Sequence, residues 1–425
     1  MRTSCKCLIF ILSLSAGFTA FGQTEKEKFG QIYTLLKHKS FFEAKNVYAG
    51  YKAQLSPVHQ TFTEIYLDNA FNRLEASNEK IKNLLQNNAR QLPDSLQLRL
   101  YEIKEDNSLK LFEYKEAKIT AETLLKKYPS LLTTEKIDDF KNNLKIWSAL
   151  ENIPKQQIVI KDDSRIRLHK DKAGLDNLKV PAGKDSLDFI FDTGANLSTT
   201  IQSVAKRLQM RIIPADIEVG AITGKTVIAQ LAVCDKMVLG SIEIRNAVFL
   251  VFNDEDLGFP QIGYQIYGIL GYPVIAALKE VHITKDGYFM VPKTETTFTG
   301  SSNMSMDGLT PLIFMENKQY TFDTGANETI LYTKYYLANQ QEIDAKYPKT
   351  TLKFGGAGGL EEHQGFSINY APELFGKKIS IDGTSLILDA PKDRADYFYG
   401  NIGQDVIKKF DRMILNFHKM FIRLE

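Results

Sequence analysis

Two aspartates carry the chemistry that this sequence suggests. Phe191-Asp192-Thr193-Gly194-Ala195-Asn196 recurs letter for letter as Phe322-Asp323-Thr324-Gly325-Ala326-Asn327, 131 residues later. An apolar strand that ends in Asp-Thr-Gly presents a carboxylate on a sharp turn, because glycine accepts strained dihedrals and brings its N–H close. A carboxylate held in this way can act as a general acid or base. One copy alone is a weak signal, since such strand-to-turn sequences are common. Here each copy also has matched companions. Ser198 and Thr329 follow at the same offset, and Gly268-Ile269-Leu270-Gly271 is echoed by Gly400-Asn401-Ile402-Gly403. Asp192 precedes Gly271 by 79 residues and Asp323 precedes Gly403 by 80, so this part of the chain is an internal duplication.

These residues resemble the aspartic proteases, and in particular the retroviral-type, retropepsin-like branch. That family is marked by an apolar strand ending in Asp-Thr-Gly-Ala and by two apolar residues with a glycine that form a loop beneath it. The resemblance runs from about Ile158 to the C-terminus and departs at Asn401, where the first copy has Ile269. It implies an all-β bilobal fold of two retropepsin-like repeats in one chain, with a cleft between the lobes. Asp192 and Asp323 would meet at its floor as the catalytic pair. Thr193, Gly194, Thr324 and Gly325 would hold the pair's geometry, the threonines by hydrogen bonds across the lobes.

Adjacent carboxylates cannot both ionise cheaply, so the pair is expected to titrate in coupled steps and share one proton. It would polarise a water for attack on a peptide carbonyl, one Asp as base and the other as acid. The expected partner is a peptide or protein substrate, and no metal or organic cofactor is required. A hairpin over the cleft would exclude water and hold the peptide extended. Gly220 and Gly224, about 28 residues after Asp192, are candidate flap-tip glycines, and Gly355 and Gly356 are their counterparts in the second copy. Neither tip carries the Tyr of pepsin-like enzymes.

The elements that position these residues divide by glycine content. Between Gln23 and Leu150 the only glycines are Gly30 and Gly50, whereas 23 lie beyond residue 150. Glycine weakens helices and serves turns, so the first part is expected to be helical and the second rich in strands. Within the helical part, Phe41-x-x-Ala44 with Tyr48 recurs as Tyr114-x-x-Ala117 with Ala121, and Pro129 follows. This spacing resembles the second helix of a tetratricopeptide repeat, with a degenerate middle copy expected over 68–85. A generic helical bundle is the alternative. The expected fold class is therefore multidomain: an all-α, TPR-like helical domain over 23–150, then aspartic protease-like halves over 151–299 and 300–425. Residues 1–22 read as a signal peptide. Arg2 and Lys6 are basic, Leu8 to Leu14 apolar, and Ala20-Phe21-Gly22 a small-residue cleavage site.

The remaining composition excludes more than it suggests. The net charge of +2 falls to zero once the leader is removed, which leaves no electrostatic footprint for nucleic acid. No later segment approaches the ~18 apolar residues of a membrane span. His38, His59, His169, His282, His363 and His418 are scattered without zinc-ligand spacing, and no phosphate loop is present. Cys234, the single cysteine after the leader, reads as a buried core thiol, Trp147 as a core residue, and 161–172 as a solvated linker or edge strand. The expectation is a secreted or periplasmic aspartic endopeptidase, monomeric because both halves share one chain, with a possible protein partner for the helices. The alternative is a catalytically inactive peptide-binding or assembly protein on the same scaffold.

Ala195 and Ala326 supply no hydroxyl to donate to the pair's anion and lower its pKa. The pH optimum should therefore be milder than strongly acidic. A rate profile on a peptide library that peaks below about pH 3 would contradict this, given a free Asp pKa near ~3.9.

Overall fold

A computed structural model of the chain describes residues 24–220, 226–356 and 359–425. The signal-peptide reading of 1–22 and the flap glycine Gly224 fall outside the described residues.

The glycine-poor part forms helices α1 (Glu25–Lys37), α2 (Phe41–Tyr51), α3 (Pro57–Ala70), α4 (Leu74–Asn87), α5 (Asp94–Lys110), α6 (Tyr114–Lys127) and α7 (Thr134–Leu150). Local chemistry starts several of them. Thr24 and Glu27 form a capping box on α1, Ser56 caps α3 ahead of Pro57, and Thr133 caps α7. The first six helices pair into three hairpins. Each turn places a non-glycine residue in the left-handed region: Lys39 at φ 59°, Asn72 at 58° and Phe112 at 56°. Each second helix opens on a buried Phe41, Leu74 or Tyr114, and three positions later a fully buried small residue lets its neighbour approach: Ala44, Ser77 and Ala117. The stretch 68–85 covers the end of α3 and most of α4. Its Ser77 replaces alanine and satisfies its hydroxyl by donating to the Ile65 carbonyl at 3.0 Å.

The glycine-rich part forms two large sheets in which eight strands correspond in order, and Gln157–Ile160 adds a further strand to the first by pairing with Ile242–Phe252. The first runs His169–Lys170, Asp176–Ala182, Asp185–Phe191, Gly268–Leu270, Ser198–Ile201, Ile242–Phe252, Thr226–Leu239, Arg211–Gly220. The second runs Met304–Asp307, Thr310–Met315, Lys318–Phe322, Gly400–Ile402, Ile330–Leu331, Ile381–Ile387, Gly359–Tyr370, Lys349–Gly356. In both, the short Gly-containing strand slips between the strand that ends in Asp-Thr-Gly and the strand that follows it, parallel to the first and antiparallel to the second.

A third sheet joins the lobes. Its order is Ser164–Arg167, Tyr288–Val291, Glu280–Thr284, Arg412–Asn416, Phe421–Leu424, with Val281 opposite Leu415 where the two halves meet. The charged stretch 161–172 contributes edge strands to two of the sheets, and Cys234 and Trp147 are buried.

The helices dock on both lobes. The Phe42 ring stacks on Phe314 at 4.7 Å, the Lys39 ammonium pairs with Asp307, and Asn72 Nδ2 donates to the Phe417 carbonyl at 2.9 Å. On the other side, α7 packs along Arg211–Gly220. Inside the helical region, the Glu105 carboxylate joins α5 to α7, accepting from Trp147 Nε1 at 2.8 Å and Asn143 Nδ2 at 3.2 Å. Burial pushes this carboxyl up to about 7, opposed by those two donors and reinforced by the nearby charges of Asp106 and Glu102.

A raised folded-state pKa means that the unfolded chain, at the ordinary value of 4.5, releases this proton first. The stability contributed by the neutral acid is complete below pH 4.5 and is lost as pH rises to about 7. Glu105→Gln keeps the acceptor and removes the titration. Thermal melts should show the variant overtaking the wild type between pH 5 and 8, by on the order of 3 kcal/mol.

Candidate active site

Strand Asp185–Phe191 is buried at its end and delivers Asp192 to the boundary between the lobes, and Lys318–Phe322 does the same for Asp323. Each carboxylate is held by its own turn. Gly194 N donates to Asp192 Oδ1 at 2.8 Å and Ala195 N at 3.1 Å. In the second copy, Gly325 N and Ala326 N donate to Asp323 Oδ1 at the same 2.8 and 3.1 Å. Both aspartates keep part of their surface in solvent.

The two turns pack against one another. Thr193 N donates to Thr324 Oγ1 at 3.0 Å, and Thr324 N returns the bond to Thr193 Oγ1 at 3.0 Å. Each hydroxyl then donates to the other lobe, Thr193 to the Phe322 carbonyl at 3.2 Å and Thr324 to the Phe191 carbonyl at 2.9 Å. Both threonines are buried. The approach is close enough that a Cβ at Gly194 would lie 2.6 Å from the Asp323 carboxyl, and one at Gly325 would lie 2.3 Å from that of Asp192. Only glycine fits there. Burial, then the Asp323 carboxylate, pushes Asp192 well above the ordinary carboxylate range, so the pair carries a proton where isolated acids have lost theirs.

A supporting loop lies beneath each turn. Asp192 N donates to the Leu270 carbonyl at 3.1 Å and Asp323 N to the Ile402 carbonyl at 3.0 Å. Gly271 N donates to Ser198 Oγ at 3.1 Å and Gly403 N to Thr329 Oγ1 at 3.0 Å, which gives the matched hydroxyl residues their role. Asn401 does not disturb the second loop. It sits in register with Thr321, whose hydroxyl donates to Asn401 Oδ1 at 2.6 Å. The polar side chain is accommodated by a partner that a hydrophobic residue would not need.

The structure therefore brings together Asp192, Thr193, Gly194, Asp323, Thr324 and Gly325. Three of the flap candidates, Gly220, Gly355 and Gly356, lie on two hairpins. Gly220 ends its strand opposite Thr226, Gly355 pairs with Leu360 and Gly356 with Gly359.

Sequence reasoning missed one strut. Gln404 Nε2 donates to the Thr324 carbonyl at 2.7 Å, and Lys170 Nζ, from the first lobe, donates to Gln404 Oε1 at 3.0 Å. The first copy has Tyr272 at this place, so the repeat itself offered no signal. Among the described residues, no group of three His, Cys, Asp or Glu side chains could hold a metal ion.

Residues 178–274 match the family model described as aspartyl protease, a span that includes Asp192 and Gly271 and ends before the second copy. Among solved structures, the chain is similar to a retropepsin-like aspartic protease from Rickettsia conorii, at 16% identity over 32% of this chain and 92% of that one, with a TM-score of 0.21. No curated protein matches the chain. The aspartyl protease match thus falls on the first of the two β-rich copies, in a chain whose N-terminal part is helical.

The threonine exchange has a direct test. Thr193→Val removes the hydroxyl and leaves the buried Thr324 N–H and Phe322 carbonyl without partners, at a cost of ~1–3 kcal/mol for each orphaned group. Thermal unfolding should fall by several degrees for Thr193→Val and stay close to wild type for Thr193→Ser, which keeps the hydroxyl.

Proposed function

We propose that this chain is an aspartic endopeptidase in which Asp192 and Asp323 are the catalytic pair. The observation that carries the reading is the mirrored hold on the two carboxylates. Each has one oxygen fixed by backbone N–H groups of its own turn, and the turns are locked together by Thr193 and Thr324. The aspartyl protease match around Asp192 supports it.

In this scheme the pair enters the reaction with one proton. The ionised carboxylate takes a proton from a water as its oxygen bonds to the peptide carbonyl carbon. The protonated partner gives its proton to the carbonyl oxygen, and a neutral tetrahedral diol forms. Collapse re-forms the C=O bond and breaks the C–N bond. The leaving nitrogen takes a proton from one carboxyl and the other recovers the diol proton, which restores the single-proton state. Thr193, Gly194, Thr324 and Gly325 serve this chemistry by holding distance, which determines how strongly the two acids couple. No step calls for a metal or organic cofactor.

An extended peptide would lie along the cleft under the hairpins that carry Gly220, Gly355 and Gly356, adding as a strand with alternate side chains in apolar pockets. The three helical hairpins support the tetratricopeptide-like reading, and a protein partner or recruited substrate is assigned to them. Secretion or a periplasmic location rests on the leader sequence alone. Among the described residues, no helix is long and apolar enough to cross a membrane.

The deciding experiment uses the mature chain, a mixed peptide library and the variants Asp192→Asn and Asp323→Asn. Each substitution should lower kcat/KM on the order of 10³-fold or more, because each removes one of the two proton carriers. Peptide binding without cleavage in every form, wild type included, would make the chain a peptide-binding protein on a protease scaffold.

A further inference from the structure

The first-lobe hairpin has an outer strand, Arg211–Gly220, that lies at the end of its sheet. An edge strand leaves every second N–H and C=O pointing outward. At Glu218 both outward groups are taken by a single side chain from the helical domain. Asn142 of α7 accepts from Glu218 N at 2.9 Å through Oδ1 and donates to the Glu218 carbonyl at 2.8 Å through Nδ2. A carboxamide used this way reproduces the pair of bonds that a neighbouring strand would make. Beside it, Lys145 Nζ donates to the Asp216 carbonyl and pairs with the Glu218 carboxylate, each at 3.0 Å.

The position of this clamp matters. Glu218 lies two residues before Gly220, beyond the irregularity between Ile213 and Ile217 where the hairpin's register shifts. The clamp thus acts on the distal arm, which the sheet below the shift does not hold in continuous register. The arm that holds it is itself fastened. Trp147 and Asn143, on α7 beside Asn142, donate to the buried Glu105 of α5, and Ile146, Trp147 and Leu150 are buried.

Lys145 alone would discourage edge-to-edge pairing, as charged side chains do. A two-point amide bond does more, because it fits one register. A slip of one residue would present Val219, whose N–H and C=O point inward to the next strand.

We propose that Asn142 is a positioning residue for the cleft: through Glu218 it sets the first hairpin's distal arm, and so how tightly extended peptide is held. This rests on the endopeptidase reading above. The helical domain then acts on the cleft directly, whatever else it binds.

The test uses the full mature chain, Asn142→Ala and Asn142→Asp, and a peptide that the wild type cleaves. Asn142→Asp keeps the acceptor for Glu218 N–H and loses the donor. Hydrogen exchange at the Glu218 amide should quicken roughly ten-fold in Asn142→Ala and less in Asn142→Asp. KM should rise several-fold in the same order, with kcat within two-fold and the melting temperature unchanged. Faster exchange with unchanged KM would reduce the clamp to an edge cover and overturn the proposal, as would unchanged exchange. A wild type that neither cleaves nor binds peptides would instead remove the endopeptidase reading, and the positioning role with it.

Discussion

Two Asp-Thr-Gly turns approach so closely that each glycine's α-carbon faces the other half's carboxylate, with no room for a methyl group. Much of the architecture follows from this contact. Closeness of that kind requires backbone groups to be satisfied across the junction, and the crossed Thr193–Thr324 hydrogen bonds do this with four interactions from two side chains. It also requires the lobes to be held as one body. The shared sheet, where Val281 pairs with Leu415, supplies that rigidity from below.

The same closeness produces the electrostatics. Two carboxylates brought together from separate lobes cannot both be charged without cost, so one retains a proton and Asp192 is driven well up. The Gly194 and Ala195 N–H groups on the inner oxygen of Asp192 work in the opposite sense, favouring the anion. A pair that is neither fully ionised nor fully neutral is the state that both gives and takes a proton. The supporting loops matter because they fix the turns that carry those N–H groups. Gly271 and Gly403 pack against the backbone of the segments after the aspartates, with Ser198 and Thr329 closing the contact.

The helical domain is bound into this arrangement. It touches the second lobe through Phe42, Lys39 and the Gly-poor hairpin turns, and the first through α7. Its own core includes an acid, Glu105, that sits beside the indole of Trp147 and ties the helix facing the hairpin to the rest of the repeat. Packing of the helices and the outer strand of the first hairpin are thus connected by hydrogen-bonded side chains.

Much of this could be read in the sequence because duplication and composition leave local marks. The hexapeptide repeated at Asp192 and Asp323, the paired glycines at 271 and 403, the switch in glycine content after Leu150 and the Phe41/Ala44 spacing each reflect short-range requirements of turns, close packing and helices. Those marks determined the two sheets, the helical region and the candidate pair. The degree of detail stopped where contacts became long-range and unrepeated. Asn401 departs from the repeat, and its partner Thr321 accommodates it only in the folded chain. Gln404 and Lys170 meet across 234 residues, and Asn142 meets Glu218 across 76, with no periodicity or motif to mark either. Only the tertiary structure could decide these, because a single side chain bonding to distant backbone places no constraint on its neighbours in the chain.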